Sequence, residues 1–114
     1  KRVYEPYDET DGTRILVERL WPRGFTHDRL HADTWMREIA PTAGLRAWYA
    51  HDIARWPEFV TRYRAELGQH EDLVEQLLAI AQSGPLTLLY AARDPGHSSA
   101  IVLLDYLKER QAVR

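Results

Sequence analysis

The chain has 114 residues, a formal net charge of −2 and no cysteine. That length holds a single core, and the missing thiols exclude disulfides, thiolate metal sites and a cysteine nucleophile. The slightly acidic balance makes a nucleic-acid partner unlikely as a class, and no apolar run approaches the ~18 residues of a membrane-spanning helix. A single domain over 1–114 is expected, and cysteine-free composition fits the cytoplasm. Because the sequence opens at Lys1 and not at methionine, a truncated N-terminus with a shortened first strand is expected. Lys1 and Lys108 apart, all 15 basic residues are arginine. A GC-rich coding sequence accounts for such a bias, so only position can give the arginines meaning.

In chain order, residues 2–5 (RVYE) read as a short strand. The acidic, turn-rich PYDETDG ends in Asp11-Gly12, a hairpin signal. TRILVERL (13–20) reads as a strand buried on both faces. The link from 2–5 is too short for a parallel crossover, so these two strands are antiparallel or not neighbours. From Leu30 to Ser83 the pattern is helical. Asp33 is positioned to cap TWMREIA, which Pro41 ends, and Thr42 to cap AGLRAWYA. Pro57 and Glu58 suit a helix N-terminus, with Phe59, Tyr63 and Leu67 along one face. EDLVEQLLAIAQ repeats the pattern through Leu73, Leu77, Leu78 and Ala81 until Gly84-Pro85 stops it. LTLLYAA (86–92) is a second buried strand, and SAIVLLDYLKER a final helix.

This order predicts an α/β domain: a small sheet of three to four strands, at least two of them parallel, packed with helices. A long helical link lets strand 86–92 run parallel to strand 14–20. Their C-terminal ends then share a rim, outside which ligands of open α/β sheets bind.

The first strand runs out into RLWPRG (19–24), the second into ARDPGHSS (92–99). A turn requires Pro22 and Gly24 but neither arginine nor tryptophan, so Arg19, Trp21 and Arg23 are candidate ligand-binding residues, together with Arg93, Ser98 and Ser99. Ser98 or Ser99 would cap the last helix, whose free amides favour an anion, and arginines beside it would add charge-assisted hydrogen bonds. A plain structural role competes at each position: a salt bridge for Arg19, core filling for Trp21, a surface pair for Arg93-Asp94, a helix cap for Ser98. His51, beside Asp52, and His97 are candidate acid–base residues. His27 and His31 are four apart, yet THDRLHAD reads as a solvated loop without a third ligand, so no metal and no cofactor is expected. Trp35, Trp48 and Trp56 suit the core better than nucleic-acid stacking.

RVYE, DGTRILVERLWPRG, WMREIAPTAGLRAWYAHD, RWPEFVTRYRAEL and TLLYAARDPGH, in that order, resemble the domain of unknown function 488 family, and within it the short branch carrying RLWPRG. The resemblance spans nearly the whole chain. It implies an α/β fold and a cytoplasmic bacterial protein, and no established activity. Other branches carry cysteine at the position of Tyr90 and Cys-His-Arg over 98–100; with Tyr90 and Ser98-Ser99-Ala100 here, thiol chemistry does not carry over. The branch pattern has Asp where Glu18 stands and Asn-His where Ser98-Ser99 stand, so a two-histidine mechanism is not carried over either.

The expected function is therefore a pocket at the sheet rim for a small anion, phosphate or carboxylate. It could serve catalysis by His51 or His97, binding or regulation without turnover, or give way to a protein-interaction surface built on tryptophans. Nothing in the sequence sets the oligomeric state.

Overall fold

The computed structural model describes residues 1–113. Its sheet has three parallel strands in the order β2-β1-β3: β1 (Thr13–Leu16), β2 (Thr34–Trp35) and β3 (Leu86–Leu89). Five helices accompany it: α1 (His27–Leu30), α2 (Ala43–Tyr49), α3 (Trp56–Leu67), α4 (Glu71–Ser83) and α5 (Ser99–Ala112). The α/β class and the parallel pairing of the two apolar strands are as the sequence predicts. No helix among the described residues is long and apolar enough to cross a membrane.

Alternation along β1 splits the core in two. Ile15 and Val17, with Leu88 of β3, face the larger core, which is closed by Leu45 and Tyr49 of α2, Phe59, Tyr63 and Leu67 of α3, Val74 and Leu77 of α4 and Leu103 of α5. Leu16 and its register partner Leu89 face the other way, into a small cluster with Val3 and Leu30 that Trp21, Trp35 and Ala91 cover. The helical repeat Phe59–Tyr63–Leu67 is buried as expected. In α4 the buried positions are Val74, Leu77 and Leu78, with Leu73 and Ala81 only half-buried. Thr42 caps α2, accepting the Leu45 amide at 3.2 Å.

Three elements differ from expectation. Residues 2–5 form no strand: Arg2 makes a single parallel bridge to Tyr90, and a turn closed by the Glu5 amide on the Arg2 carbonyl (3.0 Å) follows. This arm lies beside β3, so the first segment and β1 are not neighbours and Asp11-Gly12 closes no hairpin. Gly12 instead turns the chain with φ 67° and ψ −135° against Pro85, whose carbonyl oxygen lies 2.3 Å from where a Cβ would sit. Secondly, TWMREIA is not a helix. Thr34-Trp35 adds a strand to the open edge of β1, and only Arg37–Ile39 makes a single 3-10 turn. Asp33 is drawn away from capping because its carboxylate accepts the Arg14 amide (2.8 Å) and its own amide donates to the Arg14 carbonyl (2.7 Å). Thirdly, β1 and β3 end at Leu16 and Leu89, short of 20 and 92: Val17 still donates to the Leu89 carbonyl, but Tyr90 pairs with the N-terminal arm and the Ala91 amide donates to the Glu18 side chain.

Arg14 is the largest of the fully buried side chains, 2% exposed, in the middle of β1. Its Nε donates to the His31 carbonyl (3.0 Å), one guanidinium nitrogen to the Leu30 carbonyl (3.1 Å), and the other pairs with Asp11. Those two carbonyls belong to the end of α1, a helix of 4 residues that could not stand alone. Replacing Arg14 with leucine leaves the two carbonyls without this donor and Asp11 with Lys1 as its remaining ion-pair partner, and a loss of about 2–4 kcal/mol in urea unfolding is expected; a loss under 1 kcal/mol would contradict the role given to Arg14. The Asp11 carboxyl is held below its ordinary value, chiefly by the Lys1 hydrogen bond and with help from Arg14. A depressed folded value means that its contribution is complete above the unfolded value of about 3.9 and drains away as pH falls through the folded one. Asp11→Asn should therefore flatten the acid limb of stability below about pH 4, as measured by denaturant midpoints between pH 7 and pH 2.5.

Candidate functional site

The ends of β1 and β3 lie side by side, Leu16 opposite Leu89. Outside them is a depression of about 890 Å³, lined by Glu18 and Leu20 after β1, by Arg46, Tyr49, His51 and Ile53 of α2 and the following turn, and by residues 91–94 and 97–99 after β3. A second hollow of about 490 Å³ runs along β3 and α5, but its charged residues are engaged: Lys1 and Asp11 pair at 2.9 Å, and Glu5 accepts the Arg2 amide at 2.7 Å.

Of the expected site residues, the rim depression gathers His51, Arg93, His97, Ser98 and Ser99. Ser98 is the N-cap of α5: its hydroxyl accepts the Ile101 amide at 3.4 Å and donates to the Pro95 carbonyl at 3.2 Å. His97 and Asp94 contact each other, Nδ1 to Oδ2, at 2.7 Å, and the His97 ring stands edge-on to Trp56 at 5.1 Å. The hydrogen bond from His97 is the main reason the Asp94 carboxyl lies below its usual range. Asp94 also caps its own turn by accepting the Gly96 amide at 3.0 Å. His51 has no such partner in Asp52, whose carboxylate accepts the Ala54 amide (3.1 Å) and faces Arg55 at 3.5 Å. The histidine–carboxylate pair is therefore at 97 and 94, not at 51 and 52.

Arg19, Trp21 and Arg23 do not line the depression. Arg19 reaches across to the β2–α2 connection, donating to the Ala40 carbonyl (2.9 Å) and the Pro41 carbonyl (3.3 Å), with Glu38 at 3.5 Å. Trp21 belongs to the smaller core: its indole donates to the Phe25 carbonyl at 2.7 Å and its ring meets Trp35 edge-on at 5.4 Å. Arg23 is exposed, and Gly24, at φ 80°, turns the chain behind it. His27 packs tilted against Trp21 and His31 stacks on Tyr7, and among the described residues no group of three or more His, Asp or Glu side chains is gathered for a metal. Trp35, Trp48 and Trp56 pack against the two cores.

Sequence reasoning missed Arg46, Tyr49 and Glu18 as parts of this site. Arg46 and Tyr49 lie three apart in α2 with His51 just beyond, a spacing shared by any amphipathic helix. Tyr49 is nearly buried, and burial first, then Asp94 and Asp52, pushes its phenol above the ordinary tyrosine value. Glu18 accepts the Ala91 amide at 3.1 Å and so ties the exits of β1 and β3 together. Both acids of the depression are thus engaged with backbone amides, whereas the exposed Arg46 and Arg93 enter no ion pair among the described residues.

Residues 1–114 match the model described as the inactive DUF488-N3 subclade. The chain belongs to the DUF488 family. It is similar to the uncharacterised protein YeaO of Escherichia coli K12, 44% identical over 108 residues that cover 95% of this chain and 94% of the relative. It is likewise similar to the uncharacterised protein Rv3073c of Mycobacterium tuberculosis H37Rv, 38% identical over 109 residues that cover 96% of this chain and 92% of the relative. No solved structure matches it.

One wall of the site in this DUF488 chain is strained. Ala50 (φ 48°, ψ 36°) and His51 (φ 57°) occupy the left-handed region in succession, where neither has glycine's freedom. Ala50→Gly should relieve the first of them and raise stability by about 0.5–1 kcal/mol, read as a higher urea midpoint at unchanged slope. A lower midpoint would mean that the turn is not under strain.

Proposed function

We propose that this DUF488 chain is a non-catalytic module that binds a small anion, phosphate- or carboxylate-bearing, at the C-terminal rim of its sheet. The observation that carries the reading is the uneven commitment of charge in the depression. Glu18 and Asp94 are spent on the amides of Ala91 and Gly96, while Arg46 and Arg93 face the same space without a carboxylate. Two exposed guanidinium groups that border one hollow without a carboxylate partner are free to meet an anionic ligand with charge-assisted hydrogen bonds. The capped start of α5 at Ser98-Ser99 adds the positive end of a helix of 14 residues.

Binding without turnover is supported by the description of the subclade as inactive and by the commitments of the polar side chains. The Ser98 hydroxyl is used by Pro95 and Ile101, so it is no free nucleophile, and His51 lacks a carboxylate to orient it. Acid–base catalysis by His97, oriented by Asp94, is the second reading, and the 2.7 Å contact favours it. In the binding reading Arg46 and Arg93 hold the anion. Arg19 and Trp21, the core of the RLWPRG mark of a short family branch, shape the loop above it, and Arg23 adds positive potential from outside. The net charge of −2 favours a small ligand over a nucleic acid, and a cysteine-free chain with bacterial relatives fits work in the cytoplasm.

Calorimetric titration with inorganic phosphate and phenyl phosphate tests this. Arg93→Gln should weaken binding by about 1.5–3 kcal/mol, the range for a hydrogen bond to a charged group. Equal affinities in the two proteins would remove Arg93 from the site. Hydrolysis of phenyl phosphate that depends on His97 would replace binding with catalysis.

A further inference from the structure

We propose that the anion bound at the rim is amphiphilic: a charged head held by Arg46 and Arg93, and an apolar body lying between Leu20 and Ile53. This rests on the anion-binding reading above and adds the chemical class of the ligand.

Leu20 and Ile53 are large aliphatic side chains left 65% and 59% exposed, and both line the depression that contains the two arginines. Neither belongs to a loose end. Leu20 follows Arg19, whose guanidinium is fastened to the Ala40 and Pro41 carbonyls at 2.9 and 3.3 Å, so the strand exit is fixed where Leu20 leaves it. Ile53 opens a 3-10 turn capped by Asp52 through the Ala54 amide at 3.1 Å. That turn follows the two left-handed residues Ala50 and His51, which swing the chain out of α2. Two anchored segments from different parts of the chain therefore each present an uncovered aliphatic group to one hollow. The same lining includes Phe59, buried in the main core. A bare inorganic anion would leave Leu20 and Ile53 in water; an alkyl or aryl body would cover them. A hollow of about 890 Å³ has room for a drug-sized molecule, far more than a phosphate ion needs. The charge on the head is set by the arginines, since Glu18 and Asp94 are already committed to the Ala91 and Gly96 amides and Asp94 also to His97.

The test is calorimetric titration of the whole chain with straight-chain carboxylates from acetate to octanoate, with inorganic phosphate and octylammonium alongside. Affinity should rise roughly two- to fourfold per added methylene, the range for partial to full burial of a CH₂. The double variant Leu20→Ser/Ile53→Ser, checked for an unchanged thermal melt, should flatten that series, and Arg93→Gln should weaken every carboxylate about tenfold or more. Phosphate binding with a flat carboxylate series would overturn the amphiphile and leave the anion reading standing. Failure of phosphate and of every carboxylate to bind would overturn both. A series that stays steep in the double variant, or octylammonium binding as well as octanoate, would also overturn the proposal.

Discussion

The fold depends on one buried cation. Arg14 occupies an interior position of the central strand, where an unpaired charge would cost several kcal/mol. Each of its three guanidinium nitrogens is answered: by Asp11 before the strand, and by the Leu30 and His31 carbonyls at the end of α1. Its backbone is held too, between the amide and carboxylate of Asp33. One residue thus connects the entry to β1, the end of the short α1 and the start of β2. Without it, the short α1 that helps cover the sheet face bearing Leu16 and Leu89 would lose the donors at its carbonyl end. The same residue explains why the chain can spare so few residues for that face. The larger face takes four helices; the smaller takes a short helix, two tryptophans and an arginine.

That imbalance leaves the rim free. The long crossover from β1 to β3 is used up in building the larger core, so the strand exits are bridged not by helices but by single side chains. Glu18 reaches from one exit to the Ala91 amide at the other, and Arg19 from the first exit to the Ala40 and Pro41 carbonyls. A parallel sheet aligns its carboxyl ends by construction, and short side-chain ties keep them open instead of capping them. The depression is the result: its floor is set by the core through Tyr49 and Phe59, and its mouth by turns that their own Asp caps hold rigid at Asp52 and Asp94.

The large periodic signals were legible in the sequence for plain physical reasons. Phe59, Tyr63 and Leu67 must share a helix face, and two apolar strands separated by more than fifty residues of mostly helical pattern must be joined by a crossover, which makes them parallel. The misreadings arose where a tertiary partner outbid a local preference. Asp33 has the right type and place for a helix cap, yet the edge of β1 offered it both an amide and a carbonyl, and the segment after it became a strand. RLWPRG was read as facing the ligand because two arginines and a tryptophan are more than a turn requires. They are accounted for in other ways: Arg19 ties two loops, and Trp21 supplies volume to a core whose helix is too short to fill it. Arg46 and Tyr49 were invisible because an arginine and a tyrosine on a helix carry no signal until another element is brought opposite them.

Ser98 is a rim residue given over entirely to structure. It stands at the start of the last helix, where its hydroxyl closes the Pro95 carbonyl and the Ile101 amide. A side chain so used caps the helix end and offers the hollow no free hydroxyl. The hollow takes its shape from other groups: the strand exits are tied by Glu18 and Arg19, and the walls by Asp52 and Asp94. Arg46 and Arg93 line it yet enter no ion pair among the described residues, so either can be replaced without undoing the ties that build it.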